Sequence, residues 1–209
     1  MDLIERNEDM RDFFNRKSEG YDEVHEQFLT TKNQLIDAVD PNARKVLDLG
    51  AGTGLELIHL YEVNKEARTT VIDVSENMLE KLKQRSFSDK LNIICGDFFK
   101  VEFGNGYDAV ISTSSLHHFL QKDKLVLYKK IYDSLRVGGS FINSDKVAIT
   151  NEEEQELLRD YYQNKGVKAH IDTPLSIEHE VEVLTQVGFK DIEVETTEKD
   201  NYRLIKARK

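Results

Sequence analysis

A glycine-rich turn between an apolar strand and a helix is the feature that most constrains this chain. The run from Val46 to Leu49 is short and apolar, and it is followed by Gly50, Gly52 and Gly54. Glycine lets the backbone turn tightly and approach a ligand closely at the start of the next helix. The segment therefore predicts an α/β sheet with a ligand site above the end of its first strand.

The rest of the chain alternates between short apolar runs and longer amphipathic segments. This rhythm is typical of strands joined by helical crossovers. Further parallel strands are predicted at 69–73, 92–95, 107–112 and 140–144. The helix before the last of these is expected to run on until Gly138-Gly139 ends it. Crossovers of one hand place helices on both faces of such a sheet.

One continuous domain is expected, because the sequence has no internal repeat, low-complexity tract or flexible linker. Two strands predicted at 189–196 and 202–207 are so close in sequence that they can only form an antiparallel hairpin at a sheet edge. The domain is expected to contain cap helices at 1–40, a ligand-binding core at 44–145, a lid insert at 146–175, and a final helix and hairpin at 176–209.

Composition restricts the location and the partners of the chain. Its 209 residues are 39% hydrophobic and include no apolar run near the roughly 18 residues of a membrane span. The N-terminal residues lack the pattern of a secretion signal, so we expect a cytoplasmic protein. Cys95 is the only cysteine and is expected to be buried in a strand. The net charge of -10 disfavours nucleic acids, which are bound through lysine and arginine.

Acidic residues stand at the ends of the first three strands, where an α/β sheet holds its ligand. Asp48 lies just under the glycine turn, where a carboxylate suits a cationic group and repels a pyrophosphate. Asp73 ends the second strand and can accept hydrogen bonds from ribose hydroxyls. Asp97 follows the third strand, where it can accept a bond from an adenine amino group while Phe98 packs on the ring. Taken singly, each residue also fits a structural role as a cap, turn or core residue.

The spacing of the glycines bears on whether the turn binds a dinucleotide such as NAD. A dinucleotide fingerprint of the form G-x-G-x-x-G requires a glycine at the position of Leu55, whereas this chain has an early Gly54. An NAD-dependent oxidoreductase is therefore disfavoured, and it would also leave Asp48 and Gly96-Asp97 unexplained.

Together with Asp73, Gly96-Asp97 and the segment Ser114 to Phe119, the glycine turn resembles the class I S-adenosylmethionine-dependent methyltransferase superfamily over residues 44–145. The resemblance implies an α/β, doubly wound, mostly parallel seven-stranded sheet in the order 3-2-1-4-5-7-6, with strand 7 antiparallel. It also implies a binding site for S-adenosylmethionine. With the arguments above, the expected cofactor residues are Tyr21, Asp48, Gly50, Ala51, Gly52, Asp73, Val74, Met78, Asp97, Phe98 and Thr113.

The segment after the fourth strand supplies the candidates nearest the reacting sulfonium. His117 is a candidate proton acceptor and substrate contact, although a histidine here also often only shapes the pocket. His117 and His118 lack the clustered partners of a metal site, so no metal is expected. Tyr161 and Tyr162, in the lid insert, are further candidates for substrate binding.

We expect an enzyme that methylates a small molecule by in-line displacement under a helical lid, with Tyr21 closing over the cofactor. Such a reaction gains mainly from alignment and exclusion of water, so it requires no obvious acid or base. A non-catalytic module that binds the cofactor or a partner protein stays an alternative, because fold alone does not fix function. The acceptor and its attacking atom, the use of a cofactor derivative, and the choice between monomer and homodimer stay open.

Overall fold

The computed structural model describes residues 3–164 and 172–209 of the chain, without the side chains of residues 3–9. No helix in these ranges is both long enough and apolar enough to span a bilayer. The helices are α1 (Leu3–Lys17), α2 (Tyr21–His25), α3 (Leu29–Asp37), α4 (Leu55–Val63), α5 (Glu76–Leu82), α6 (Gln121–Ser134), α7 (Asn151–Asn164) and α8 (Ile177–Val187), with single 3-10 turns at Glu26–Phe28, Ser88–Lys90 and Leu116–His118.

Seven strands form one sheet in the order β3-β2-β1-β4-β5-β7-β6. The first five strands pair in parallel, and β7 is antiparallel to both of its neighbours. This arrangement confirms the predicted strand order and the terminal hairpin. The strands are β1 (Lys45–Leu49), β2 (Arg68–Asp73), β3 (Leu91–Cys95), β4 (Tyr107–Thr113), β5 (Leu135–Lys146), β6 (Lys190–Thr196) and β7 (Tyr202–Arg208).

Alternate residues of the central strands enter two separate apolar clusters, as expected for a sheet covered on both faces. Leu47 of β1 packs in one cluster with Leu127 of α6 and Val183 of α8. Val46 packs in the other with Leu35 of α3 and Leu57 of α4. The helices therefore bury both faces and leave the carboxyl edge of the parallel strands accessible.

The predicted boundary between α6 and β5 was wrong. The helix ends at Ser134, and Gly138 and Gly139 lie within β5. The register between β4 and β5 shifts at this point, and Gly138 has a φ of 75°. A Cβ on Gly139 would lie 2.9 Å from the carbonyl oxygen of Tyr107. These glycines therefore allow a bulge in a strand and do not end the helix.

The expected burial of Cys95 was also wrong, because its side chain is exposed. It ends β3, which is the outermost of the described strands at one edge of the sheet. An apolar strand pattern predicts pairing, but it does not tell a central strand from an edge strand.

Candidate functional site

The turn between β1 and α4 is a cradle that requires glycine. Gly50, Gly52 and Gly54 have φ angles of 78°, 52° and 74°, which are left-handed. The amide of Gly50 donates to the carbonyl oxygen of Ile72 at 2.8 Å, so the turn is tied to β2. A Cβ on Gly50 would lie only 2.2 Å from Oγ of Ser115. No side chain fits there, and a ligand can reach the backbone closely.

Asp73 connects this turn to the start of α5. Its Oδ2 accepts a hydrogen bond from the amide of Gly52, and its Oδ1 accepts one from the amide of Ser75, both at 2.8 Å. Burial raises the pKa of Asp73 to about 6, although both amides lower it. Each carboxylate oxygen has more than one lone pair, so the group can accept further bonds from a ligand in the cleft.

The end of β3 supplies a flat apolar wall beside a carboxylate. Phe98 is buried, and its ring centroid lies 6.0 Å from that of Phe119. Asp97 lines the same cleft, and its Oδ1 accepts a hydrogen bond from the amide of Phe99 at 2.9 Å. A planar heterocycle with an amino group suits this combination.

Asp48, Glu56 and Lys32 form a buried cluster behind the glycine turn. The ammonium of Lys32 contacts Oε2 of Glu56 at 2.6 Å. Neither oxygen of Asp48 has a hydrogen-bond partner among the described residues. Burial, and then the charge of Glu56, raise the pKa of Asp48 well above its ordinary value. The cluster therefore has room for one more positive charge, held as a proton or brought by a ligand.

Helices α1 and α2 close over the cleft. Asp22 accepts hydrogen bonds at 2.6 Å from the hydroxyl of Thr53 and from Nη2 of Arg85, which fixes α2 to the glycine turn. The ring of Tyr21 stacks on His25 with centroids 3.7 Å apart and faces the cleft. The two helices thus form a cap over the sheet edge, and residues of both line the cleft.

Ten of the eleven expected cofactor residues line this first cleft, and the exception is Asp48, which is fully buried behind it. That these residues bind a cofactor stays a prediction. Ser114, which follows β4 and was expected near the sulfonium, also lines the cleft. The other lining residues were not predicted as cofactor contacts, namely Met10, Phe14, Lys32, Thr53, Leu55, Glu56, Gly96, Ser115, His118 and Phe119.

A second cleft adjoins the first and lies under the same cap. His117 lines it, as predicted for a substrate contact. Tyr161 is buried, Tyr162 is exposed, and neither is among the described lining residues, so their substrate role stays a prediction. The lining residues are Phe13, Phe14, Lys17, Glu19, Gly20, Tyr21, Val24, His25, Ser114, His117, His118 and Tyr202.

The His117 ring lies between two carboxylates. Its Nδ1 is 2.6 Å from Oδ1 of Asp145, and its Nε2 is 3.4 Å from Oδ1 of Asp172. Burial alone would lower the pKa of His117, but the two carboxylates outweigh it and raise the pKa to about 9. The signal that could have found Asp145 is its place near the carboxyl end of β5, the rule that pointed to Asp73 in β2.

Comparison of the sequence with known families supports a methyltransferase fold. The family model described as "Methyltransferase domain" matches residues 46–139. Carboxy-S-adenosyl-L-methionine synthase from Nautilia profundicola is 30% identical over 203 residues, which are 88% of this chain and 83% of that protein. Malonyl-[acyl-carrier protein] O-methyltransferase from Priestia megaterium is 28% identical over 135 residues, which are 63% of this chain and 48% of that protein.

Solved structures share the fold at lower identity. A putative O-methyltransferase from Nostoc punctiforme superposes with a TM-score of 0.75 and 22% identity, covering 94% of this chain and 60% of that one. Human N-acetylserotonin methyltransferase, solved with S-adenosylmethionine, gives a TM-score of 0.72 and 22% identity, covering 94% of this chain and 55% of that one.

Proposed function

The chain belongs to the class I S-adenosylmethionine-dependent methyltransferase superfamily, and we propose that it methylates a small molecule bound in the second cleft under α1 and α2. The observation that carries this proposal is that the two clefts meet. Four residues line both of them, namely Phe14, Tyr21, Ser114 and His118. A cofactor in the first cleft can therefore present a group to a molecule in the second.

The residues of the first cleft fit S-adenosylmethionine, which supplies the reactive methyl group on its sulfonium. Asp73 would accept hydrogen bonds from the ribose hydroxyls. Asp97 would hold the adenine amino group, and Phe98 would pack on the ring. The backbone at Gly50 and Gly52 would lie along the methionine portion. A Cβ built on Gly52 has only the Tyr21 ring within 4 Å, so that position leaves space for a ligand, whereas the missing Cβ of Gly50 makes room for Ser115.

The buried acidic cluster suits the ammonium group of the methionine portion. Asp48 is close enough to Glu56 for that carboxyl group to raise its pKa, and Lys32 pairs with Glu56 among the described residues. Two carboxyl groups and one lysine leave room for a second positive charge, which the cofactor would bring as the proton on Asp48 departs. Glu56 lines the cleft, so Asp48 would act on the ammonium group from behind Glu56.

The chain's own contribution to the reaction is alignment and exclusion of water. The cap covers the sheet edge, and Tyr21 lies at the junction of the clefts. Charge is dispersed as the sulfonium is neutralised. Excluding water and aligning the acceptor with the methyl group should therefore accelerate the transfer more than an added base would. His117 lines the second cleft and can contact the acceptor there, and its catalytic role stays a prediction.

A small acceptor is favoured over a nucleic acid. The net charge of -10 opposes a polyanion, and the second cleft lies under the cap, with aromatic residues in its lining. We propose no membrane or nucleic-acid partner, and a monomer or homodimer in the cytoplasm.

A second candidate function is formation of carboxy-S-adenosylmethionine, the activity in the name of the Nautilia profundicola relative. The similarity to that relative spans 88% of this chain. A carboxylate added to the cofactor would need a nearby cation, and Lys17 lines the second cleft. This reaction would need a carboxyl donor in the second cleft where methyl transfer needs an acceptor. Methyl transfer remains our first proposal because the matching family model is described as a methyltransferase domain.

The two candidates differ in what becomes of the cofactor. We expect incubation with methyl-labelled S-adenosylmethionine and a fractionated cell extract to yield S-adenosylhomocysteine and label in the low-mass fraction. The Gly50→Ala variant is the matched control and should give neither. A carboxylated cofactor that keeps its label would support the second candidate, and label in protein or RNA would contradict a small acceptor.

The affinity for S-adenosylmethionine is expected to fall in acid because of Asp73. Its pKa of about 6 means that the carboxyl is protonated below that pH and loses acceptor capacity for the ribose hydroxyls. Binding should therefore be about tenfold weaker near pH 5 than near pH 7, as the ionised fraction falls. Calorimetry at both pH values checks this. The Asp73→Asn variant should bind weakly at both and lose the tenfold difference that Asp73 supplies, so a pH dependence of unchanged size in the variant would exclude Asp73 as its source.

Tyr21 is expected to act through its ring. Replacement by alanine removes the aromatic cover at the junction of the clefts, and we expect about tenfold weaker binding of S-adenosylhomocysteine. Phenylalanine keeps the ring and should change the dissociation constant by less than about twofold. Calorimetry on both variants makes the comparison, and an equal loss in the two would assign the effect to the hydroxyl group.

A further inference from the structure

A cluster of two histidines and one aspartate lies beside the second cleft, which both histidines line. His117 and His118 are in the 3-10 turn after β4, and Asp172 comes from the segment before α8. One ligand atom of each residue lies within 4.8 Å of those of the other two. Sequence analysis expected no metal because no third group accompanied the histidine pair, and here Asp172 supplies that group from 54 residues further on (172 minus 118).

The two distances from Asp172 to the histidines match those between ligands of one ion. Oδ1 of Asp172 is 3.4 Å from Nε2 of His117 and 3.4 Å from Nδ1 of His118. In a tetrahedral site with bonds of about 2.1 Å, neighbouring ligand atoms are about 3.4 Å apart. We propose that His117, His118 and Asp172 bind a divalent transition-metal ion of the kind that prefers imidazole ligands, such as Zn²⁺.

The surroundings of His117 are those of a metal ligand. Oδ1 of Asp145 is 2.6 Å from Nδ1 of the ring, and Oδ2 accepts hydrogen bonds from the amides of Leu116 and His117 at 2.7 and 3.0 Å. A buried carboxylate so held fixes the proton on Nδ1 and turns the lone pair of Nε2 toward Asp172. Metal-binding histidines are oriented in this way.

The charges around the cluster favour a cation. Lys146 contacts Oδ2 of Asp172 at 2.8 Å, which holds the carboxylate in place and leaves Oδ1 directed at the histidines. The His117 ring lies between the carboxylates of Asp145 and Asp172. Either a bound ion or a proton on His117 can supply positive charge between these carboxylates, and the two occupants of the cluster are distinguishable by experiment.

Among the described residues the cluster supplies three ligands, and a tetrahedral ion held by three protein ligands keeps a position open, as in metal sites that contact substrate. His117 and His118 both line the second cleft, so the open position can take an oxygen or nitrogen of a molecule bound there. This last step rests on the proposed function, whereas binding of the ion does not.

The test is titration of the full-length, untagged protein with metal alone, after chelator treatment and without S-adenosylmethionine. We expect one Zn²⁺ per chain by calorimetry, and Co²⁺ should develop the visible absorption of a low-symmetry site. His118→Ala and Asp172→Ala should each weaken binding by more than about 100-fold, and Asp145→Asn by about 10- to 100-fold. Circular dichroism verifies that each variant is folded.

His179→Ala is the matched control, because His179 pairs with Glu154 on α7 and lies outside the cluster. It should bind Zn²⁺ as the wild type does. Absence of stoichiometric binding would overturn the metal site and leave His117 as a protonated partner of its carboxylates. The metal site would also be overturned if His179→Ala weakened Zn²⁺ binding as much as the cluster variants, or if His118→Ala and Asp172→Ala left Zn²⁺ binding unchanged. Since no cofactor is present, failure here leaves the proposed methyl transfer untouched.

Discussion

Replacing Gly50 with alanine is expected to weaken the binding of S-adenosylmethionine about 100-fold, measured by calorimetry. Gly50 has a φ of 78°, and an added Cβ would lie 2.2 Å from Oγ and 2.6 Å from Cβ of Ser115. Either the glycine turn or the segment after β4 must then move. Both segments line the cofactor cleft, so the shift displaces contacts to the ligand.

Gly106→Ala is the matched control for this substitution. Gly106 has nearly the same backbone conformation, with a φ of 75°, but nothing lies within 4 Å of a Cβ built there. The control carries only the cost of a left-handed alanine, about 1 kcal/mol of folding stability, and should bind the cofactor normally. If the two variants bound equally well, the close approach at Gly50 would have no part in cofactor binding.

Replacing Lys124 with methionine is expected to destabilise the fold by about 3–5 kcal/mol. Nζ of Lys124 contacts Oε1 of Glu180 at 2.6 Å, and both side chains are buried between α6 and α8. The hydroxyl of Tyr128 donates to the same oxygen at 2.7 Å. Without the lysine, Glu180 keeps a buried charge with one neutral partner, and thermal unfolding should occur about 10 °C lower.

The control for this effect is Lys129→Met on the same helix. Lys129 pairs with Asp133, but both side chains are more than half exposed, so the loss should stay below about 1 kcal/mol. Chemical denaturation of both variants gives the comparison. A cost for Lys124→Met as small as that of the control would mean that the buried pair adds nothing to stability beyond what methionine supplies.

Most of the fold was predictable because its signals are local. Apolar runs, amphipathic segments and the glycine turn predicted the strands and helices, and the short spacing of the last two strands predicted their hairpin. The end of α6 was not predictable, because Gly138 and Gly139 are equally compatible with the end of a helix and with a bulge in a strand. The register shift against β4 decides between them, and it depends on pairing with a distant strand.

The site residues that stand at or just after the ends of strands were predictable from the sequence. Asp73, Asp97 and Thr113 were found by that rule and line the cleft. The pairs that bring together distant side chains were not predictable, such as Lys32 with Glu56 across 24 residues. The same holds for Asp172 with His117, since nothing in the sequence near either residue indicates the contact.

We infer that the carboxyl edge of this sheet binds S-adenosylmethionine, and the first measurement is a calorimetric titration of the protein with this cofactor. NAD serves as the control ligand, and Asp73→Ala and Asp97→Ala serve as variants. We expect saturable binding of S-adenosylmethionine that both substitutions weaken, and no binding of NAD. Absence of S-adenosylmethionine binding, or tighter binding of NAD, would show that the inferred cofactor site is wrong.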